Sequence, residues 1–267
     1  MTSAGDCHEG IVGSGLGLET SKGWVYRDVD LVVPRGALAL VTGPAGCGKT
    51  ALLLAVAARM RPGAGALRLG DCDAVAQPQR ARRLVGLGET AGVNDLDPTL
   101  TVAAQVKAEL AMHKRSRGHE RLHGHGHGHT DIDAAFASVG LDLDPHTRIT
   151  DLHAADRLLL GVALALIGEP PFLVVDDLHE DLTPDERELV LDRLRGLTRS
   201  GTTIVVGSLD PALAPLADVV LALDGDGRPS GDGRSSGDGR DAAGSRGAAD
   251  LAASPAPHFE ETTHALV

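Results

Sequence analysis

Gly43-Pro44-Ala45-Gly46-Cys47-Gly48-Lys49-Thr50 satisfies G-x-x-x-x-G-K-[ST] at every fixed position. The apolar run Ala37-Leu38-Ala39-Leu40-Val41 precedes it and reads as a strand ending in the loop, and Ala51 to Arg59 reads as the helix behind it. Strand, glycine loop and helix form the context that a phosphate-binding loop requires. The glycines let backbone N–H groups close around a phosphate chain, and the dipole of the following helix favours its negative charge. In this reading Lys49 reaches the β- and γ-phosphates, and the Thr50 hydroxyl holds Mg²⁺. A glycine-rich turn before a helix, with no ligand, is the bland alternative, and the flanking strand and helix weigh against it.

The chain has 267 residues, enough for one large α/β domain or a domain with a tail. Its formal net charge of -12 argues against a nucleic-acid-coating surface, which needs clustered Lys and Arg. Cys7, Cys47 and Cys72 make no C-x-x-C pair and no disulfide framework, as expected in a reducing cytosol. Cys47 is expected as a small filler of the loop, with redox sensitivity a side hypothesis. Met1 to Glu9 lacks the basic start and apolar core of a signal peptide. The longest apolar runs, such as Leu158 to Ile167, fall short of the about 20 residues that cross a bilayer. Work at a membrane is therefore expected to need another chain.

Upstream of the loop, Ile11 to Leu18 and Trp24 to Val33 read as antiparallel strands. Downstream, Ala66 to Leu69 and Arg82 to Leu87 read as strands, and Leu100-Thr101-Val102 opens a helical stretch to about Met112. A His-rich insertion follows, with His113, His119, His123, His125, His127 and His129; such a tract can bind Ni²⁺ or Zn²⁺, and the expectation preferred here is a low-complexity surface loop whose metal affinity is adventitious. Asp131 to Val139 and Ala154 to Ile167 have helical spacing. Phe172 to Val175 is a continuous apolar run ending in Asp176-Asp177, the pattern of a buried parallel strand. A helix from about Pro184 to Leu197, N-capped by Thr183, then leads to strands at Thr202 to Val206 and Val219 to Leu223. Strands alternating with helices imply a parallel sheet with ligands at its C-terminal edge. Beyond Asp224, Gly-Asp-Gly-Arg recurs at 225–228, 231–234 and 237–240, and this stretch reads as a disordered, mixed-charge tail.

Together these features resemble the nucleotide-binding subunit of an ATP-binding cassette (ABC) transporter over about residues 11 to 223, with a divergent, actinobacterial character. Leu152-His153-Ala154-Ala155-Asp156 occupies the place of that family's L-S-G-G-Q signature. Ala165-Leu166-Ile167-Gly168-Glu169-Pro170 closes the helix as A-L-x-x-x-P, and Phe172 to Asp177 follows as the acidic strand without a gap. The resemblance implies an α/β phosphate-loop NTPase fold with a mostly parallel sheet, an antiparallel β subdomain and a helical subdomain. It implies a tail at 1–10, an ATP-binding domain at 11–224, a helical subdomain at about 90–168 with the insertion at 113–130, and a tail at 225–267.

The resemblance also assigns roles. Gly43 to Thr50 bind the phosphates, Asp176 holds Mg²⁺ through water, and Asp177 stands where the family has a water-polarising Glu. The side chain of Asp177 is shorter by one methylene, roughly 1.5 Å, and misplacement on that scale costs on the order of a hundredfold in rate. The signature serine and glycines are His153, Ala154 and Ala155, which in a head-to-tail dimer face the γ-phosphate of the opposite subunit. The loop glutamine that touches Mg²⁺ and faces the membrane partner corresponds to Glu89. The late γ-phosphate histidine corresponds to Leu209, and a further loop aspartate falls near Thr183. The adenine-stacking position falls near Thr20, which leaves Trp24 or Tyr26 as displaced candidates, each equally readable as a core filler.

The function implied is an ATP-hydrolysing, energy-coupling subunit using ATP and Mg²⁺. It pairs as a homodimer or with a second cassette, and is cytoplasmic, held at the inner membrane face by an integral membrane permease. Two alternatives stay open. The substitutions at the signature, Asp177 and Leu209 suit a non-catalytic ATP-binding regulatory module, and a phosphate loop beside a His tract suits a metallocentre-assembly GTPase. The chain has no N-K-x-D guanine motif, which weighs against the GTPase.

Overall fold

The fold is built on five parallel strands whose sequences are apolar on both faces. In the computed structural model, residues 10–116, 128–176, 178 and 182–230 are described. The strands are β3 (Leu38–Thr42), β6 (Val85–Leu87), β7 (Phe172–Val175), β8 (Thr203–Ser208) and β9 (Val219–Ala222), in the order β6-β7-β8-β3-β9. Every neighbouring pair is parallel. Strand side chains alternate between faces. Ala39, Val41, Val174 and Val205 enter one core, while Leu38, Leu40, Leu173, Val175, Ile204 and Val206 enter the other. Burial on both sides explains why these strands read as unbroken apolar runs. Leu40→Ala would cost about 3 kcal/mol in such a site.

The first core is closed by α1 (Lys49–Val56) and by a second, antiparallel sheet. That sheet comprises β1 (Ile11–Thr20), β2 (Gly23–Val33), β4 (Ala64–Leu69) and β5 (Cys72–Asp73), in the order β2-β1-β4-β5. The opposite core is closed by α5 (Ala154–Ala165) and α6 (Pro184–Arg199), with α3 (Val102–Ser116) and α4 (Gly128–Ser138) contributing Val102, Ile132 and Ala135. The antiparallel and helical parts stand as the resemblance implied. No described helix is long and apolar enough to cross a membrane.

Three segments differ from the sequence reading. Arg82 to Leu84 belong to a helix, α2 (Pro78–Leu84), and only Val85–Leu87 form the strand. Pro78 at the first helical position presets the backbone. Only Ala81 of this short helix is buried, so it leaves no amphipathic period to detect. Pro211–Leu216 form a 3₁₀ segment that the pattern did not reveal. Finally, the chain does not leave the fold at Asp224. Ser230 N–H donates to Ala222 O at 2.8 Å, Leu223 bridges to Pro229, and Arg27 N–H donates to Gly227 O at 3.0 Å. The first Gly-Asp-Gly-Arg copy is thus a folded turn; backbone pairing, which composition does not encode, holds it.

Candidate nucleotide site

β3 delivers the loop to the C-terminal edge of the parallel sheet, and β7 delivers Asp176 to the same edge. Gly48 precedes α1 with φ 91°, in the left-handed region that favours glycine. A Cβ there would lie 2.3 Å from the Val25 carbonyl oxygen, so glycine also allows β2 to pack against the loop. Pro44, Ala45 and Gly46 form the exposed crest, whereas Cys47 is buried with Sγ toward Gly43, as a filler.

The Lys49 ammonium donates to the carbonyls of Gly43 and Pro44, both at 2.9 Å, and lies 3.8 Å from Cys47 Sγ. It curls over the loop, on acceptors that phosphate oxygens could replace. Thr50 Oγ1 donates to Asp176 Oδ1 at 3.3 Å, across 126 residues of sequence. A hydroxyl and a buried carboxylate side by side are hard oxygen donors suited to Mg²⁺, which keeps several waters of its own. These two residues therefore fit the metal. Among the described residues no group of three or more His, Cys, Asp or Glu could hold a metal ion. Asp177 lies outside the described residues, as do His119 to His127 of the His-rich tract; His113 contacts Glu109 at 3.5 Å.

Glu89 meets an arrangement that the sequence did not anticipate. Instead of standing as an open loop carboxylate, it is engaged by Arg157 of α5. Arg157 Nε lies 3.0 Å from both carboxylate oxygens, and Nη2 makes a further close contact. The Glu89 side chain is only 7% exposed. Its hydrogen bonds push the Arg157 guanidinium above its ordinary pKa, against the opposing effect of partial burial. Gly161, one turn further along α5, permits the contact: a Cβ there would sit 3.0 Å from Glu89 N and Cβ. Neither Arg157 nor Gly161 was singled out in the sequence, because no local pattern links them to position 89.

The signature segment begins with extended Leu152 after a 3₁₀ turn, Ile149–Asp151. His153 is the N-cap of α5 with no side-chain cap bond, and Ala154, Ala155 and Asp156 form the first turn. Leu209 follows the end of β8, and Asp210 beside it pairs with Arg187 at 3.1 Å. The two aromatic candidates separate: Tyr26 is fully buried and belongs to the core, whereas Trp24 is 43% exposed. A groove of about 1140 Å³ opens beside Glu89, lined by Arg82, Arg83, Asp95 and Glu109, and by the exposed Val93 and Met112.

A phosphate loop, an acidic strand end and a helix start, carried by a two-sided parallel sheet with an antiparallel flank, define a phosphate-loop nucleotide-binding protein of the cassette class. The chain belongs to the ABC transporter family, whose model matches residues 26–179. An uncharacterized ABC transporter ATP-binding protein of Mycobacterium tuberculosis is 29% identical over 213 residues, 77% of this chain and 62% of that protein. The taurine import ATP-binding protein TauB of Pseudomonas aeruginosa is 28% identical over 204 residues, 75% of this chain and 72% of that protein. The chain spans only 12% of an ABC-type transporter of Diaporthe leptostromiformis that it matches at 29% identity. Among solved structures, CbiO1 of Clostridium perfringens, part of the cbiONQ ABC transporter complex, superposes with a TM-score of 0.69. It has 18% identity and covers 82% of this chain and 86% of that one. This last likeness concerns the fold.

Proposed function

We propose that this chain is an ATP-binding, energy-coupling cassette that hydrolyses ATP slowly and drives a separate integral membrane partner. The observation that carries the reading is the hydrogen bond between Thr50 and Asp176, which puts the phosphate loop and the acidic strand at one point. On ATP entry the Lys49 ammonium exchanges two neutral carbonyls for anionic phosphate oxygens, which are stronger acceptors. Loop N–H groups and the start of α1 hold the rest of the phosphate chain. Mg²⁺ held by Thr50 and Asp176 supplies charge neutralisation at the phosphates. Asp177, assigned by sequence position alone, orients the attacking water with a side chain one methylene shorter than the glutamate of the family. Trp24 supplies the stacking face for adenine, which its exposure supports.

The start of α5, Leu152 to Asp156, faces the nucleotide of a second cassette, of the same or another chain. The groove beside Glu89 is the surface offered to the membrane partner. Its exposed Val93 and Met112 support this, as does the import role for which the taurine relative is named. Localisation at the inner membrane face follows from that partner.

Phosphate release from Mg-ATP and Mg-GTP, measured beside nucleotide binding with Lys49→Ala as control, tests the proposal. ATP-selective turnover that disappears in the variant supports it; GTP selectivity overturns it. A second reading, a regulatory module that binds ATP without turnover, is favoured by two observations. Glu89 is engaged by Arg157, and an apolar Leu209 stands after β8. Binding without phosphate release selects that reading.

A further inference from the structure

The first of the three Gly-Asp-Gly-Arg copies is built into the phosphate site. Leu223 N–H donates to Thr42 O at 2.8 Å, and the Leu223 carbonyl oxygen lies 2.5 Å from where a Cβ of Gly43 would be, at the start of the loop. Four residues on, Gly227 adopts φ 70°. A Cβ on Gly227 would lie 2.5 Å from Val25 O, 2.7 Å from Tyr26 Cα and 3.0 Å from Cys47 O. Its carbonyl accepts from Arg27 N–H at 3.0 Å. The turn is locked internally, because Asp224 Oδ1 accepts from the N–H groups of Asp226 and Arg228, both at 2.9 Å. Asp224 N–H in turn donates to Arg228 O at 2.8 Å.

Three backbones therefore meet without intervening side chains: β2 at Val25 to Arg27, the loop at Cys47-Gly48, and the turn at Gly227. We infer that the turn 223–228 is a positioning element for nucleotide binding, bracing the phosphate loop at both ends and fixing β2, with Gly227 its key residue. A loop whose N–H groups must converge on phosphate gains from such bracing, because displacement of the groups by a fraction of an ångström misaims them. Gly225 is the built-in contrast: a Cβ there meets nothing within 4 Å.

The inference rests on residues 43–50 binding ATP, so the wild-type chain and Lys49→Ala are measured first with a fluorescent ATP analogue. No binding by the wild type, or binding that survives Lys49→Ala, overturns both readings. With that binding established, Gly227→Ala should raise the Kd on the order of tenfold or more. It should also speed amide hydrogen exchange across 25–27 and 43–50, while the melting temperature falls by no more than a few degrees. Gly225→Ala should match the wild type. A chain ending after Ser230 should bind like the full chain, and one ending after Asp224 should bind like Gly227→Ala. A wild-type Kd for Gly227→Ala, an equal loss for Gly225→Ala, or complete loss of cooperative melting in Gly227→Ala overturns the inference; the last would make the turn a general stability element.

Discussion

The carboxylate of Glu89 and the guanidinium of Arg157, 68 residues apart, form an ion pair that ties the segment after β6 to the first turns of α5. Glu89 is nearly buried while Arg157 keeps about a third of its side chain in solvent. Removing the cation strands a desolvated carboxylate, whereas neutralising both groups leaves no buried charge unpaired. Arg157→Met should therefore destabilise the fold by about 2 kcal/mol, a value discounted for the exposed half of the pair. The double variant Glu89→Gln/Arg157→Met should recover at least half of that. Chemical denaturation of the four proteins of the cycle measures the coupling, and additive losses would show that the pair contributes nothing.

Asp177→Glu lengthens by one methylene the side chain to which the sequence resemblance assigns the attacking water. If that reach limits turnover, phosphate release should rise on the order of tenfold or more with ATP affinity unchanged. An unchanged rate would place the block at the other substituted positions, His153 or Leu209.

Tyr26 is the single tyrosine, so its ionisation can be followed directly by tyrosinate absorbance. Burial pushes its phenol up to about 12, and its hydroxyl has no hydrogen-bond partner among the described residues. A folded-state value above the unfolded one, about 10, means that the contribution to stability is complete below pH 10. It is lost as pH rises from there through about 12. Tyrosinate absorbance should stay absent past pH 10 and appear together with unfolding. Tyr26→Phe, which removes an unsatisfied buried hydroxyl, should raise stability by about 1 kcal/mol, read as a higher denaturant midpoint.

At the start of α6, Thr183 and Glu186 form a reciprocal capping box. Glu186 Oε2 accepts from Thr183 N and Oγ1, both at 2.8 Å, and these bonds hold its carboxyl below the usual value. The depressed value means that the stabilisation is present above the ordinary carboxylate range and is lost as pH falls through the folded-state value. Thr183→Ala should lower the melting temperature by roughly 3 °C at neutral pH. The gap from wild type should narrow in acid, and a gap independent of pH would show that the carboxylate plays no part.

Much of this protein was legible in its local sequence. The octapeptide 43–50, the apolar strand runs at 38–41 and 172–175, and the capped start at Thr183 each carry their signal within a few residues. Such signals are local by nature: a glycine for a left-handed turn, an acceptor for an orphan N–H, a two-sided apolar strand. Tertiary structure alone decided which distant groups met. It set Thr50 against Asp176, closed Arg157 on Glu89 over Gly161, buried Tyr26 while leaving Trp24 exposed, and seated Gly227 between β2 and the loop. Composition placed all three Gly-Asp-Gly-Arg copies in one tail, because their residues are the same. What composition does not show is what meets the first copy: the Arg27 N–H, and the close-packed backbones of Val25 and Cys47, which chain folding brings there from far along the sequence.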